Sequence, residues 1–189
     1  MPVARTAHET AEPQTLDEIR DWRDGIVGAL VDQRASVYRA IRAGSVTAPR
    51  FLGMTEGDVD AHYDAQRREL DRLTVVNLVA SAEATIRLDC AYRIRAKLKD
   101  QLSRAYRKWY KTLSAKKRQF PDFDGRGILD VLKDAHVMDN NIVGQYRQCL
   151  RVRHWVGHGR YWAKPAEVDL LDPEDVYDRA DALLRALPR

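Results

Sequence analysis

The chain has 189 residues, of which 44% are hydrophobic and 32% are charged, and its formal net charge is +4. This length is enough for one domain with a real core, and the composition is that of a soluble globular protein with a heavily charged surface. The only two cysteines, Cys90 and Cys149, exclude a disulfide framework and a cysteine-rich zinc site, and they favour the reducing cytoplasm.

We predict that residues 1–14 form a loose arm, because they are polar and lack the apolar stretch of a secretory signal. We predict that residues 15–189 form a single helical domain, since the chain has only 10 Gly and 7 Pro available for turns. No apolar run reaches the roughly 18 residues that a membrane-spanning helix needs, so no membrane contact is expected.

Two long helical segments come first. Thr15 followed by Glu18 has the spacing of a capping box and predicts a helix that ends near Gly44. Thr55 begins a second segment, whose apolar periodicity continues to Ile94. This segment is either one long helix or two helices separated near the β-branched residues 74–76. A short strand over residues 73–79 is less favoured, because no second strand is available to pair with it.

Shorter elements follow, and together they predict an all-α bundle of about five to seven helices. A loop over residues 120–125 separates two of them. The helices are predicted over the basic residues 101–117, from residue 128 to about 136, from residue 139 into the segment RHWVGHGRYW, and after the capping pair Asp172 and Pro173.

The segment RHWVGHGRYW holds the candidate site residues Arg153 and His158. An imidazole titrates near neutral pH and can take the proton from a ribose 2′-hydroxyl, while a planar guanidinium holds phosphate oxygens in two-point contact. On a straight helix these two residues lie about 140° apart. We therefore expect Gly157 and Gly159 to unwind the helix end and let them converge. His154 and His158 have a spacing that can bind zinc, but no third ligand accompanies them, so no metal is predicted.

These residues resemble the R-x(4–6)-H motif of HEPN domains, helical ribonucleases of toxin–antitoxin, phage-defence and CRISPR systems. A polar residue after the arginine, here His154, and a glycine after the final histidine are common in that family. Its E-x(3)-K/R pair on an earlier helix is matched by Glu83 and Arg87. The resemblance covers roughly residues 60–162.

The resemblance implies a HEPN-like helical bundle with a four-helix core over roughly residues 60–162 and with extra N- and C-terminal helices. It also implies a homodimer in which two motifs face each other, so that cleavage of RNA needs no cofactor. Arg153 and His158 would be catalytic, with His154, Glu83 and Arg87 in support. The structural alternatives are that Arg153 and His158 pair with buried acids and that Glu83–Arg87 is an ordinary helix pair.

Charge is distributed unevenly along the chain. Residues 87–118 contain twelve Lys and Arg against two acids, a balance of +10, so the other residues sum to −6. Such a segment fits RNA, an acidic antitoxin or other regulatory protein, or simply a solvated helix face. The candidate RNA-binding residues are Arg104, Arg107, Lys108, Lys111, Arg160 and Tyr161.

The leading hypothesis is a metal-independent endoribonuclease, a cytoplasmic toxin or defence effector. One alternative is a non-catalytic HEPN-like module that binds RNA, a nucleotide or a protein. Another is an antitoxin or immunity protein whose basic and acidic parts are interaction surfaces.

Overall fold

The computed structural model describes residues 13–45, 48–119 and 121–188, and in those ranges its regular secondary structure is helical, without a strand. The loose arm predicted for residues 1–14 lies outside the described residues except for its last two. No helix in the described ranges is long and apolar enough to cross a membrane. The helices are α1 (Leu16–Arg42), α2 (Glu56–Ala96), α3 (Gln101–Thr112), α4 (Ala115–Gln119), α5 (Ile128–Asp134), α6 (Asn140–Gly157), α7 (Glu167–Leu170) and α8 (Pro173–Arg185), with a 3₁₀ turn at Pro49–Phe51.

The predicted starts of the first two helices are confirmed by their caps. The Thr15 hydroxyl accepts a hydrogen bond from the Glu18 N–H at 3.1 Å, and the Glu18 carboxylate accepts one from the Thr15 N–H at 2.7 Å. Thr55 and Asp58 repeat this capping box at the start of α2. Each box satisfies two N–H groups that a helix start otherwise leaves without partners, so the local sequence determines where these helices begin.

Helix α2 is one unbroken helix of 41 residues. The alternatives of a break near residues 74–76 and of a strand over 73–79 are therefore wrong. The Thr74 hydroxyl donates to the Leu70 carbonyl at 2.9 Å, within the helix, and Val75 and Val79 are buried in the main core. Burial of these side chains outweighs the modest helix propensity of β-branched residues.

The basic segment over residues 101–117 is not one continuous helix, which corrects that prediction. Leu113 adopts an extended backbone (φ −74°, ψ 143°) and ends α3. The hydroxyl of Ser114 then accepts a hydrogen bond from the Lys117 N–H at 3.3 Å, as an N-cap does, and α4 begins. The short helix α7 was also not predicted.

The main core is formed by α2, α6 and α8, with α1, α3 and α5 packed around them. Val176, Ala180 and Leu183 of α8 are completely buried in it, so this acidic C-terminal helix is part of the core although it lies beyond residue 162. A second, smaller hydrophobic cluster around Val37 and Tyr63 joins the C-terminal half of α1 to the N-terminal part of α2. The central position of α2 matters for the site, because α6 packs along it.

Candidate active site

Helix α6 places the predicted motif against α2. Its first turn is capped by Asp139, whose carboxylate accepts from the Asn141 N–H at 2.6 Å. The fully buried Tyr146 donates its hydroxyl proton to the Val79 carbonyl of α2 at 2.7 Å. This contact brings the two helices together about two turns before Arg153, which therefore faces Glu83.

An open cleft of about 600 Å³ lies between α2, α6 and the loop before α5. Four of the five residues that the motifs predicted as catalytic or supporting line it: Glu83 and Arg87 from α2, and Arg153 and His154 from α6. The other lining residues are Pro121, Asp122, Phe123, Asp124 and Leu150.

Glu83 connects the two arginines of the cleft. Its carboxylate lies 2.7 Å from the Arg87 guanidinium and 3.5 Å from that of Arg153, and its side chain is only 13% exposed. Arg87 is held further by a hydrogen bond to the Pro121 carbonyl at 2.6 Å and by contact with the Phe123 ring, 5.2 Å away. Arg87 therefore fixes the loop to α2.

Arg153 is held much less tightly than Arg87. Among the described residues its ion-pair partner is Glu83, at a distance too long for a strong hydrogen bond, and its side chain is 33% exposed. A guanidinium carries five N–H donors, so most of those on Arg153 remain available to an oxyanion entering the cleft.

His154 is the imidazole at the cleft. Partial burial lowers its pKa, and the positive charge of Arg153 and the nearby His158 lower it further, against the opposing effect of Glu83 and Asp124. The ring is therefore neutral at neutral pH, the state in which an imidazole accepts a proton.

His158 does not line the cleft in the single chain. Helix α6 continues through Gly157, and the His158 N–H still donates to the His154 carbonyl at 3.0 Å. Gly159, with φ 83°, is the residue that leaves the helix. The expected unwinding at Gly157 does not occur. The His158 ring lies 6.2 Å from the His154 ring and 5.8 Å from that of Trp162.

The predicted RNA-binding residues fall into two groups. Arg160 makes a two-point contact with Glu69, at 2.9 and 2.5 Å, and Arg107 donates to the Leu98 carbonyl at 2.5 Å, so both have structural partners. Tyr161 is 81% exposed. The second group of predicted RNA-binding residues has exposed side chains that form no hydrogen bond or ion pair with any described residue: Arg104, Lys108 and Lys111.

We did not predict from the sequence that the loop over residues 121–124 forms one side of the cleft. Asp124 is held by Arg147 of α6 at 2.8 Å, and the same guanidinium binds Asp130 of α5 at 2.8 Å. The single guanidinium of Arg147 therefore binds both acids and fixes the loop to α5 and α6. The sequence marks a turn here but carries no spacing that connects it to residues 83 and 153.

Among the described residues, no group of three or more His, Cys, Asp or Glu side chains could hold a metal ion. The sequence matches no family model and no curated protein, and the fold matches no solved structure.

Proposed function

We propose that the chain is a metal-independent endoribonuclease, a toxin or defence effector that cleaves RNA in the cleft between α2 and α6. The observation that carries this proposal is Arg153, an oriented guanidinium with unused donors beside a neutral imidazole in an open cleft. The resemblance of the two motifs to HEPN ribonucleases supports the same chemistry.

In this proposal Arg153 binds the scissile phosphate and stabilises the charge that builds up on its oxygens. A neutral imidazole takes the proton from the ribose 2′-hydroxyl, and the oxygen attacks phosphorus. The bond from phosphorus to the 5′-oxygen breaks, and a second, protonated imidazole gives its proton to that oxygen. The products are a 2′,3′-cyclic phosphate and a 5′-hydroxyl. Glu83 acts as a positioning residue for Arg153.

We propose that His154 and His158 supply the two imidazoles and that the active species is a homodimer. His158 is exposed at the end of α6 and does not line its own cleft. In a dimer with facing motifs, it would act at the joint site formed by both copies. The activity per chain should therefore fall when the protein is diluted until the dimer dissociates.

The test is the rate of RNA cleavage in EDTA by the wild type and by Arg153→Gln, His154→Ala and His158→Ala. Loss of a general acid or base should slow cleavage by roughly 10²–10⁴-fold. His136→Asn is the matched control, because His136 is an exposed histidine with φ 51°, a conformation that asparagine tolerates. Variant rates equal to the wild-type rate, or a wild type that is inactive in EDTA, would refute the proposal.

One observation favours a second candidate, a module that binds RNA without cleaving it. A single chain offers its cleft one lining imidazole, so without a partner the second proton-transfer group is missing. RNA that stays intact on the wild-type protein, with an affinity that depends on Arg153, would support this alternative.

A further inference from the structure

A second cavity of about 490 Å³ adjoins the cleft. It lies between the end of α3, the start of α4 and the loop before α5, and we call it the Trp109 cavity. Its lining includes Trp109, Lys117, Asp122 and Arg126. Asp122 also lines the cleft, so the same loop separates and borders both cavities. Asp122 is thus the lining residue that the two cavities share.

The cavity contains an aromatic side chain in a defined position. Trp109 is half-buried, packs against the main core and donates its indole N–H to the Arg126 carbonyl at 3.2 Å. Its ring is thus held on one side by the core and at its N–H edge by the loop. An indole fixed in this way is suited to stacking with an unpaired base, since every nucleobase has a π-face.

The charges around the cavity suit a phosphate backbone. The Arg126 side chain is exposed and forms no hydrogen bond or ion pair with any described residue. Asp122 would repel a phosphate, but Lys117 neutralises it at 2.7 Å. The charged residues that line the cavity are therefore Lys117 and Arg126 against Asp122, so the lining has a net positive charge.

We propose that the Trp109 cavity is a subsite for single-stranded RNA, which binds one nucleotide of the strand whose scissile phosphate lies in the cleft. The base stacks on Trp109, and a flanking phosphate contacts Arg126. The subsite rests on the proposed function, because that function places RNA in the cleft.

The test compares binding of two 2′-O-methyl RNAs, which cannot be cleaved: a dinucleotide, which fills the cleft alone, and a hexanucleotide, which reaches the second cavity. The two variants are Arg126→Asn and Trp109→Leu. Asparagine removes the positive charge but tolerates the backbone angle of φ 70° at position 126, and leucine removes the indole ring. Both should weaken hexanucleotide binding, by roughly 5- to 100-fold for the loss of stacking, and leave dinucleotide binding unchanged. Arg126→Asn should also reduce the salt dependence by about 0.7 in the log–log slope.

The control is Arg68→Gln, which removes an exposed cation of α2 with no partner among the described residues. An Arg126→Asn effect equal for both lengths, absent for both, or matched by the control would overturn the subsite. Binding of a polyglutamate peptide that depends equally on Trp109 and Arg126 would overturn the choice of RNA as ligand. If unmodified RNA is bound with this length dependence but is never cleaved, the ribonuclease proposal is refuted and the subsite proposal is retained. If RNA is cleaved but its binding shows no length dependence, the subsite proposal is refuted and the ribonuclease proposal is retained.

Discussion

The loop that borders the cleft has almost no tolerance for a side chain at Gly127. A Cβ there would lie 2.2 Å from the carbonyl oxygen of Asp122 and 2.8 Å from that of Asp124. Both are backbone atoms, so the loop must open. Opening weakens the hydrogen bond that the Ile128 N–H donates to the Asp122 carbonyl at 3.0 Å. Overpacking costs about 1–3 kcal/mol and a lost hydrogen bond about 1 kcal/mol.

We therefore expect Gly127→Ala to lower the free energy of unfolding by about 2–4 kcal/mol. For a chain of this size this corresponds to a fall in Tm of roughly 5–15 °C. The assay is urea and thermal unfolding followed by circular dichroism. Gly144→Ala is the matched control: it lies within α6 with nothing within 4 Å of a new Cβ, and it should stabilise by up to about 1 kcal/mol. If Gly127→Ala unfolded at or above the wild-type midpoint, the loop could not have this geometry.

Three further predictions concern α6 and the segment after it. Tyr146→Phe should lower the free energy of unfolding by about 1 kcal/mol in urea titrations, because a completely buried hydrogen bond to α2 is lost; an unchanged midpoint would contradict that contact. Arg153→Gln should raise the pKa of His154 in an NMR titration, since partial burial and the Arg153 charge hold it below its ordinary 6.5. Because the folded pKa is the lower one, the wild type loses the stability linked to His154 as the pH falls below about 6.5, and the variant should lose less. Arg160→Ala and Glu69→Gln should couple by about 1 kcal/mol in a double-mutant cycle, owing to their two-point contact; additive effects would show that the pair does not form.

Helix starts could be predicted because the interactions that create them are local. Thr15 and Thr55 each find their capping partner three residues away, and tertiary structure is not needed to complete the bond. The continuity of α2 could not be predicted, because Thr74 and Val75 favour a helix only once the core covers them. The break at Leu113 was missed for a similar reason, since the helical pattern continues across it.

The candidate site shows the same division. Motif spacing selected Glu83, Arg87, Arg153 and His154, and the packing of α6 on α2 brings all four to one cleft. Helix α6 continues to Gly157, so His154 and not His158 lines the cleft. The residue spacing does not predict where this helix ends. Asp124 of the loop was missed because it meets Arg147 of α6 only through the tertiary fold.

The chemistry of the cleft is tested most directly by the cleavage products of an RNA with one unmodified ribose among 2′-O-methyl nucleotides, incubated with the wild type in EDTA. A metal-independent attack by the 2′-hydroxyl predicts one cut, at that ribose, leaving a 2′,3′-cyclic phosphate and a 5′-hydroxyl that mass spectrometry identifies. The Arg153→Gln protein should leave the strand intact under the same conditions. Cuts at 2′-O-methyl positions, a 5′-phosphate product, or an intact strand with wild-type protein would contradict the proposed reaction.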